Sequence, residues 1–274
     1  MSYAEVIGDP IAQSKSPLIH KHWLETLGLQ GDYLRTLVPS DRLPGLLAER
    51  REDRAWRGCN VTIPHKESAA VLVDQLDAQA AAIGAVNCIV PAARELLGFN
   101  TDVDGIAAAL DGTMMKGERA IIIGAGGAAR SAVAYLSGQG VDEIILLLRD
   151  PARAQTIQSV APETTIRAAP LNDAASLLGG ASVIVNASPM GMAGSALMPE
   201  LILEAVSQAS QACVFDMVYD PLETAFLRAG SSAGARTVDG LTMLIGQAAR
   251  AFELFFGAPA PQPSRELRDL LTTA

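Results

Sequence analysis

The sequence predicts an α/β protein of two domains: an N-terminal domain with a mostly parallel sheet, and a Rossmann-like, doubly wound dinucleotide-binding domain. Three observations carry this expectation. Strand-like and helix-like patterns alternate along the chain, as βαβ units require. A glycine loop, Gly124-Ala125-Gly126-Gly127-Ala128-Ala129, directly follows the continuous apolar run Ala120–Ile123 and opens a helical pattern, which is the context that gives G-x-G-x-x-A its meaning. The composition shifts over Asp111–Gly117, where a hinge is expected.

The elements follow in order. Val6-Ile7-Gly8 reads as a short strand ending at Gly8-Asp9-Pro10. Pro17–Leu27 has helical spacing, with Leu18, Ile19, Trp23, Leu24 and Leu27 on one side. Val61-Thr62-Ile63 reads as a strand that Pro64 ends, because proline lacks an N–H and fixes its own φ. Ser68–Ile83 predicts one or two helices burying Val71, Leu72, Leu76 and Ile83. Asn87–Val90 and Leu96–Phe99 predict paired strands around a turn. Beyond the hinge, strands are expected at Arg119–Gly124, Ile144–Leu148, Ser182–Val185, Cys213–Phe215 and Thr237-Val238, with a helix from Ala128. The proline-rich run 257–263 leads to a last helix over Ser264–Leu271. The N-terminal domain is expected to hold residues 1–105 and 241–274, and the Rossmann-like domain residues 106–240.

The 274 residues are 49% hydrophobic and 19% charged, which supports a packed globular core rather than disorder. The net charge of −9 argues against a nucleic-acid partner, since phosphate backbones need a basic field. Cys59, Cys88 and Cys213 are widely spaced, show no metal-ligand pattern and fit a reduced compartment. Met1–Glu5 shows neither a basic start nor a long apolar stretch, so no signal peptide or transmembrane helix is expected, and the location is expected to be cytoplasmic.

Lys66 stands just past the strand that includes Val61. It is one of four lysines (Lys15, Lys21, Lys66, Lys116) among 21 basic residues. Ligands of α/β proteins sit at strand ends, and a lysine can carry a titrating proton where an arginine cannot. A solvated turn lysine would look the same. In the glycine loop, the first glycine permits the tight turn. The second lets backbone N–H groups approach a pyrophosphate at the helix N-terminus. The end of the next strand reads Leu148-Arg149-Asp150-Pro151-Ala152-Arg153. Arg149 and Arg153 suit the 2′-phosphate of NADP, whereas Asp150 suits the bare 2′-hydroxyl of NAD. Asp150 also reads as an N-cap with Pro151 at the first helical position.

Ordered motifs from Val6 to Gly257 resemble the shikimate dehydrogenase family: Gly8–Pro17, Asn60–Lys66, Gly84–Asn87, Gly98–Asp102, Gly124–Arg130, Asn186–Met192, Asp216–Tyr219 and Gly240–Gln247. The resemblance implies reversible NADPH-dependent reduction of 3-dehydroshikimate to shikimate, in aromatic amino-acid biosynthesis. By the same resemblance, Ser14 and Ser16 bind the substrate carboxylate with Tyr219. Thr62, Lys66, Asn87, Asp102 and Gln247 hold the ring hydroxyls, and Lys66 with Asp102 forms the catalytic pair. Gly124, Gly126, Gly127 and Ala128 line the cofactor pyrophosphate. Arg149 and Arg153 take its 2′-phosphate, and Met217 and Gly240 flank its nicotinamide. The implied partner is a small molecule only, with no membrane or metal, in a monomer or homodimer. The chemistry is coherent on its own: hydride addition to a ketone builds negative charge on oxygen, which a lysine ammonium stabilises and protonates.

The chain departs from the family pattern at Gln13, His65, Cys88 and Thr242, and at Leu148 and Asp150, where the family has Asn and Thr around the arginine. The last two bear on cofactor preference and keep NAD possible. An NAD-dependent quinate/shikimate dehydrogenase is one alternative, although the quinate-preferring relatives tend to carry Thr where this chain has Ser16. A redox-silent homologue binding a nucleotide and a small acid would not need both Lys66 and Asp102. A Rossmann methyltransferase would have no use for Arg149 and Arg153. His20 and His22 are expected to be packing or surface residues.

Overall fold

The structure is a computed structural model that describes residues 1–115 and 117–273. Lys116, in the expected hinge, and Ala274 lie outside the described residues. The chain divides into two compact units, Met1–Asp102 with Gln247–Ala274, and Val103–Gly246.

The first unit opens with β1 (Tyr3–Gly8), α1 (Ser16–Thr26), β2 (Asp32–Leu37), α2 (Leu43–Glu52) and β3 (Trp56–Val61). It continues through α3 (Lys66–Leu72), β4 (Gln75–Leu76), α4 (Ala78–Ile83), β5 (Cys88–Ala92) and β6 (Glu95–Phe99). The sheet order is β2-β1-β3-β5-β6-β4. Three of its five pairings are parallel, and β5 runs antiparallel to both neighbours. That reversal matters for function. It brings the start of β5 to the edge where β1, β3 and β6 end, with Cys88 paired to Asn60 on one side and Phe99 on the other.

Alternate residues face opposite layers, as a pleated strand dictates. Ile7 packs with Leu43, Leu47, Trp56 and Ile89, while Val6 packs with Tyr33, Cys88 and Phe255. Each fully buried Ile or Leu contributes about 1.5–3 kcal/mol relative to exposure. His20 stacks on Tyr33, with ring centroids 4.0 Å apart. Its ring nitrogens have no hydrogen-bond partner, and burial lowers its pKa to about 3, so it is a neutral packing residue. His65 is buried and its Nε2 lies 2.6 Å from the Val38 carbonyl oxygen, while His22 is half-buried.

From the first unit, α5 (Asp102–Leu110) leads into the second. There follow β7 (Arg119–Ile123), α6 (Gly127–Gly138), β8 (Glu143–Leu148), β9 (Thr165–Pro170), α7 (Ala174–Leu177), β10 (Val183–Asn186), α8 (Glu200–Val206), β11 (Cys213–Asp216), α9 (Ala225–Ser232) and β12 (Arg236–Val238). All five pairings in the order β12-β11-β10-β7-β8-β9 are parallel, with the order reversing at β7, the doubly wound pattern. The central strands are buried almost end to end, which is why they read as unbroken apolar runs. Two helices close the chain: α10 (Gly240–Phe256), which carries Gln247, and α11 (Arg265–Thr273).

Two expectations need correction. Strand β3 ends at Val61, not at Pro64. Beyond it the chain turns, with the His65 N–H bonded to the Thr62 carbonyl at 2.9 Å. Val71 is 82% exposed, so it is not part of the buried side of Ser68–Ile83. That segment is two short helices around β4, and its buried positions are Ala69, Ala80 and Ile83. Val71 is two residues from Ala69 and so points some 200° away around the helix.

Candidate active site

The carboxyl-end edge of the first sheet gathers a connected set of buried polar side chains. Lys66 begins α3, and its backbone carbonyl accepts from the Val86 N–H at 2.8 Å. Its ammonium Nζ donates to Asp102 Oδ2 at 2.5 Å, with side chains 16% and 6% exposed. Asp102 is placed by the turn that follows β6. Its other oxygen, Oδ1, accepts from Asn87 Nδ2 at 2.8 Å.

Asn87 is the hub. It immediately precedes β5, and backbone bonds fix it on both sides: its N–H donates to the Phe99 carbonyl at 3.0 Å, and its carbonyl accepts from the Val61 N–H at 2.8 Å. Its side-chain Nδ2 also faces Thr101 Oγ1 at 3.1 Å and Gln247 Oε1 at 3.5 Å. Its Oδ1 accepts from the Thr101 N–H at 2.7 Å. Thr101 Oγ1 in turn donates to Gln247 Oε1 at 3.4 Å. Lys66, Asn87, Asp102 and Gln247, chosen from the sequence, therefore meet in one network. Thr101 joins them although sequence reasoning did not single it out. Asn60 also belongs: it accepts from the Tyr33 hydroxyl at 2.6 Å and donates to the Asn87 carbonyl at 3.2 Å. Both lay inside motifs already quoted, so the available signal was their place in Asn100-Thr101-Asp102 and Asn60–Lys66.

Three more sequence candidates lie in the same unit, Thr62 and Ser14 in loops and Ser16 as the first residue of α1. The Thr62 methyl stands so close to Gly8 that a Cβ there would fall 2.4 Å from it, which ties the ends of β1 and β3 together. Ser14 and Ser16 are buried, and the Ser16 N–H reaches Ser14 Oγ at 3.4 Å. Arg35 Nε holds the Ser14 carbonyl at 2.8 Å, and Lys15 Nζ holds the Leu271 carbonyl at 2.5 Å.

In the second unit, Gly124 has φ +122°, and a Cβ there would meet the Ala187 carbonyl oxygen at 2.9 Å. Only glycine fits both demands. Gly126 is the N-cap of α6 and offers no capping side chain; Gly127 and Ala128 follow in a first turn without acidic residues. A Cβ on Gly126 would meet nothing within 4 Å, so space is open above it. Uncapped N–H groups facing open space suit a dinucleotide pyrophosphate. Arg149 and Arg153 are exposed at the end of β8, and neither guanidinium has an acidic partner among the described residues. Asp150 Oδ1 accepts from the Ala152 N–H at 3.1 Å with Pro151 beginning a 3-10 turn, so the capping role is the one observed. Met217 and Tyr219 are half-buried in the loop after β11. Gly240 opens α10 pressed against Met217: a Cβ would fall 2.4 Å from the Met217 carbonyl oxygen.

Family models match most of the chain. Residues 6–89 match the shikimate dehydrogenase substrate binding domain, 107–217 the shikimate/quinate 5-dehydrogenase model, and 240–264 the shikimate 5′-dehydrogenase C-terminal domain. A shikimate dehydrogenase (NADP(+)) of Sphingopyxis alaskensis is 47% identical over 98% of this chain and 96% of the relative. One from Methylobacterium radiotolerans is 42% identical over 97% and 95%. Among solved structures, shikimate 5-dehydrogenase of Thermus thermophilus in complex with NADP(H) and shikimate is 35% identical, with a TM-score of 0.84 over 100% of this chain and 99% of that one. A quinate dehydrogenase of Corynebacterium glutamicum in complex with NAD superposes with a TM-score of 0.87 at 27% identity, covering 100% of this chain and 99% of its own. This chain belongs to the shikimate dehydrogenase family.

Proposed function

We infer that the protein catalyses the reversible NADP-dependent interconversion of shikimate and 3-dehydroshikimate. The observation that carries this reading is the Lys66–Asp102 pair, 2.5 Å apart and steadied by Asn87, at the edge of the unit that matches a substrate binding domain. When bound, NADPH would supply the hydride. Lys66 stabilises the negative charge that develops on the carbonyl oxygen and gives it a proton; in the reverse direction it takes the hydroxyl proton. Asp102 holds the Lys66 ammonium in place. Asn87, Thr62 and Gln247 donate to or accept from ring hydroxyls, so that an analogue lacking one leaves a buried polar group unpaired at a cost of about 1–3 kcal/mol. Ser14 and Ser16 receive the carboxylate with their hydroxyls.

Gly124, Gly126, Gly127 and Ala128 would hold the cofactor pyrophosphate, with Met217 and Gly240 beside the nicotinamide. Arg149 and Arg153 would take the 2′-phosphate. Two features support NADP over NAD: both arginines lack an acidic partner among the described residues, and Asp150 is engaged as a cap. Ser16 supports shikimate over quinate. Among the described residues no helix is long and apolar enough to cross a membrane, and the three cysteines are buried and unpaired. Unpaired cysteines fit our proposal of a cytoplasmic protein, which we further propose is a monomer or homodimer.

Initial rates with shikimate or quinate, each paired with NADP+ or NAD+, test the reading. Fast turnover with shikimate and NADP+ alone is expected. A preference for quinate or NAD+ would replace it with the alternative activity, and no turnover in any pairing would overturn the assignment as an oxidoreductase.

A further inference from the structure

One carboxylate joins the loops that follow β10 and β11. Asp216, the last residue of β11, is fully buried. Its Oδ1 accepts from Asn186 Nδ2 at 2.9 Å and from the Val218 N–H at 3.0 Å, and its Oδ2 accepts from the Thr224 hydroxyl at 2.6 Å. The donors come from three segments. Asn186 ends β10, Val218 lies in the loop leaving β11, and Thr224 caps α9 by accepting from the Leu227 N–H at 3.2 Å. Asn186 extends the web, since its Oδ1 accepts from the Ser188 N–H at 3.1 Å and hydroxyl at 2.7 Å. Its Nδ2 also reaches the Met190 carbonyl at 3.0 Å.

Both loops press on glycines assigned above to the cofactor. Ala187, next to Asn186, fills the space beside Gly124; Met217, next to Asp216, fills the space beside Gly240. A buried carboxylate without a cation is costly, and a neutral packing would be cheaper. Burial, opposed only by the hydrogen bonds of Thr224, Val218 and Asn186, pushes Asp216 up to about 6. On the same loop and helix, Arg228 lies 3.9 Å from Glu223, and Asp220 is a further acidic residue.

We propose that Asp216 is a positioning residue for the dinucleotide: its carboxylate fixes the loops after β10 and β11, so that Ala187 and Met217 stand against Gly124 and Gly240 in the form that receives the cofactor. The proposal rests on the reading that this unit binds NADP.

The test is direct titration of the wild-type protein, Asp216→Ala and Asp216→Asn with NADP+ and, separately, with shikimate, below the unfolding temperature of each. Asp216→Ala is expected to weaken NADP+ by at least about tenfold, the order of one charge-assisted hydrogen bond, and to leave shikimate affinity unchanged. Asp216→Asn keeps an oxygen for Asn186 and Val218 and should recover part of the loss. If Asp216→Ala does not fold, Asp216→Asn decides, with a smaller loss confined to NADP+ expected. Undiminished NADP+ affinity in the variant that decides, or equal losses for both ligands, would each overturn the proposal. A wild-type protein that binds no NADP+ would overturn the cofactor reading itself, and the first titration shows this before any variant is made.

Discussion

The two units each bury an aspartate at the edge of a sheet, and they treat it in opposite ways. Asp102 meets a cation, Lys66, at 2.5 Å, with one further donor from Asn87. Asp216 meets three neutral donors and no cation. The first arrangement keeps a charge pair beside the proposed reacting oxygen, where a proton is to move. The second spreads one charge over three segments, which suits holding loops rather than transferring protons. A carboxylate at a strand end is therefore not evidence of catalysis by itself; what faces it decides its work.

The contrast can be broken first at Asp102. Asp102→Asn removes the counter-charge of Lys66 while keeping the shape, and kcat is expected to fall by about 10²–10⁴, the range of a lost acid–base arrangement. Steady-state rates at saturating shikimate check this, and a loss below threefold would show that the pair does no chemistry.

Asp216 responds next, through stability. Its folded pKa is raised from 3.8 to about 6, so its contribution to stability is fully present below pH 4 and lost as pH rises through 6. The shift corresponds to about 3 kcal/mol. Urea unfolding of the wild type and Asp216→Asn at pH 4 and pH 7 should show the wild type losing about that much relative to the variant. A difference independent of pH would mean that the charge is not buried in the folded protein.

A smaller effect sharpens the cofactor side. Arg149→Ala should weaken NADP+ by roughly 10–100-fold, the scale of one charge-assisted contact, and NAD+ hardly at all, because only NADP+ carries the 2′-phosphate. Equal losses would place the phosphate contact elsewhere. The smallest change is expected at Val71, which is 82% exposed. Val71→Ser should shift stability by no more than about 0.5 kcal/mol, and a larger loss on thermal unfolding would mean that this helix face is covered in solution.

The sequence was most legible where burial is complete on both faces. Strands β7, β8, β10 and β11 are unbroken apolar runs because helices cover a parallel sheet on both sides. The edge strands β2 and β9 carry no such signature. Their burial patterns are mostly exposed or half-exposed, so neither an apolar run nor a clean alternation marks them. Among site residues, Lys66 announced itself by residue type beside a strand end, and the glycine loop by its setting between strand and helix. Thr101 and Asn60 did not, because each acts through Asn87 and their reach is set by the antiparallel placement of β5. Asp216 was hidden because its hydrogen-bond partners are distant along the chain. Its partners Asn186 and Thr224 are 30 and 8 residues away along the chain.

The role of Lys66 as the proton donor and acceptor is tested most directly by the turnover of Lys66→Ala, measured together with its affinity for shikimate. The kcat should fall by about 10³ while the dissociation constant for shikimate changes by less than about tenfold, since Lys66 acts chiefly on charge that appears in the transition state. Near-normal turnover, or a loss confined to shikimate binding, would contradict it.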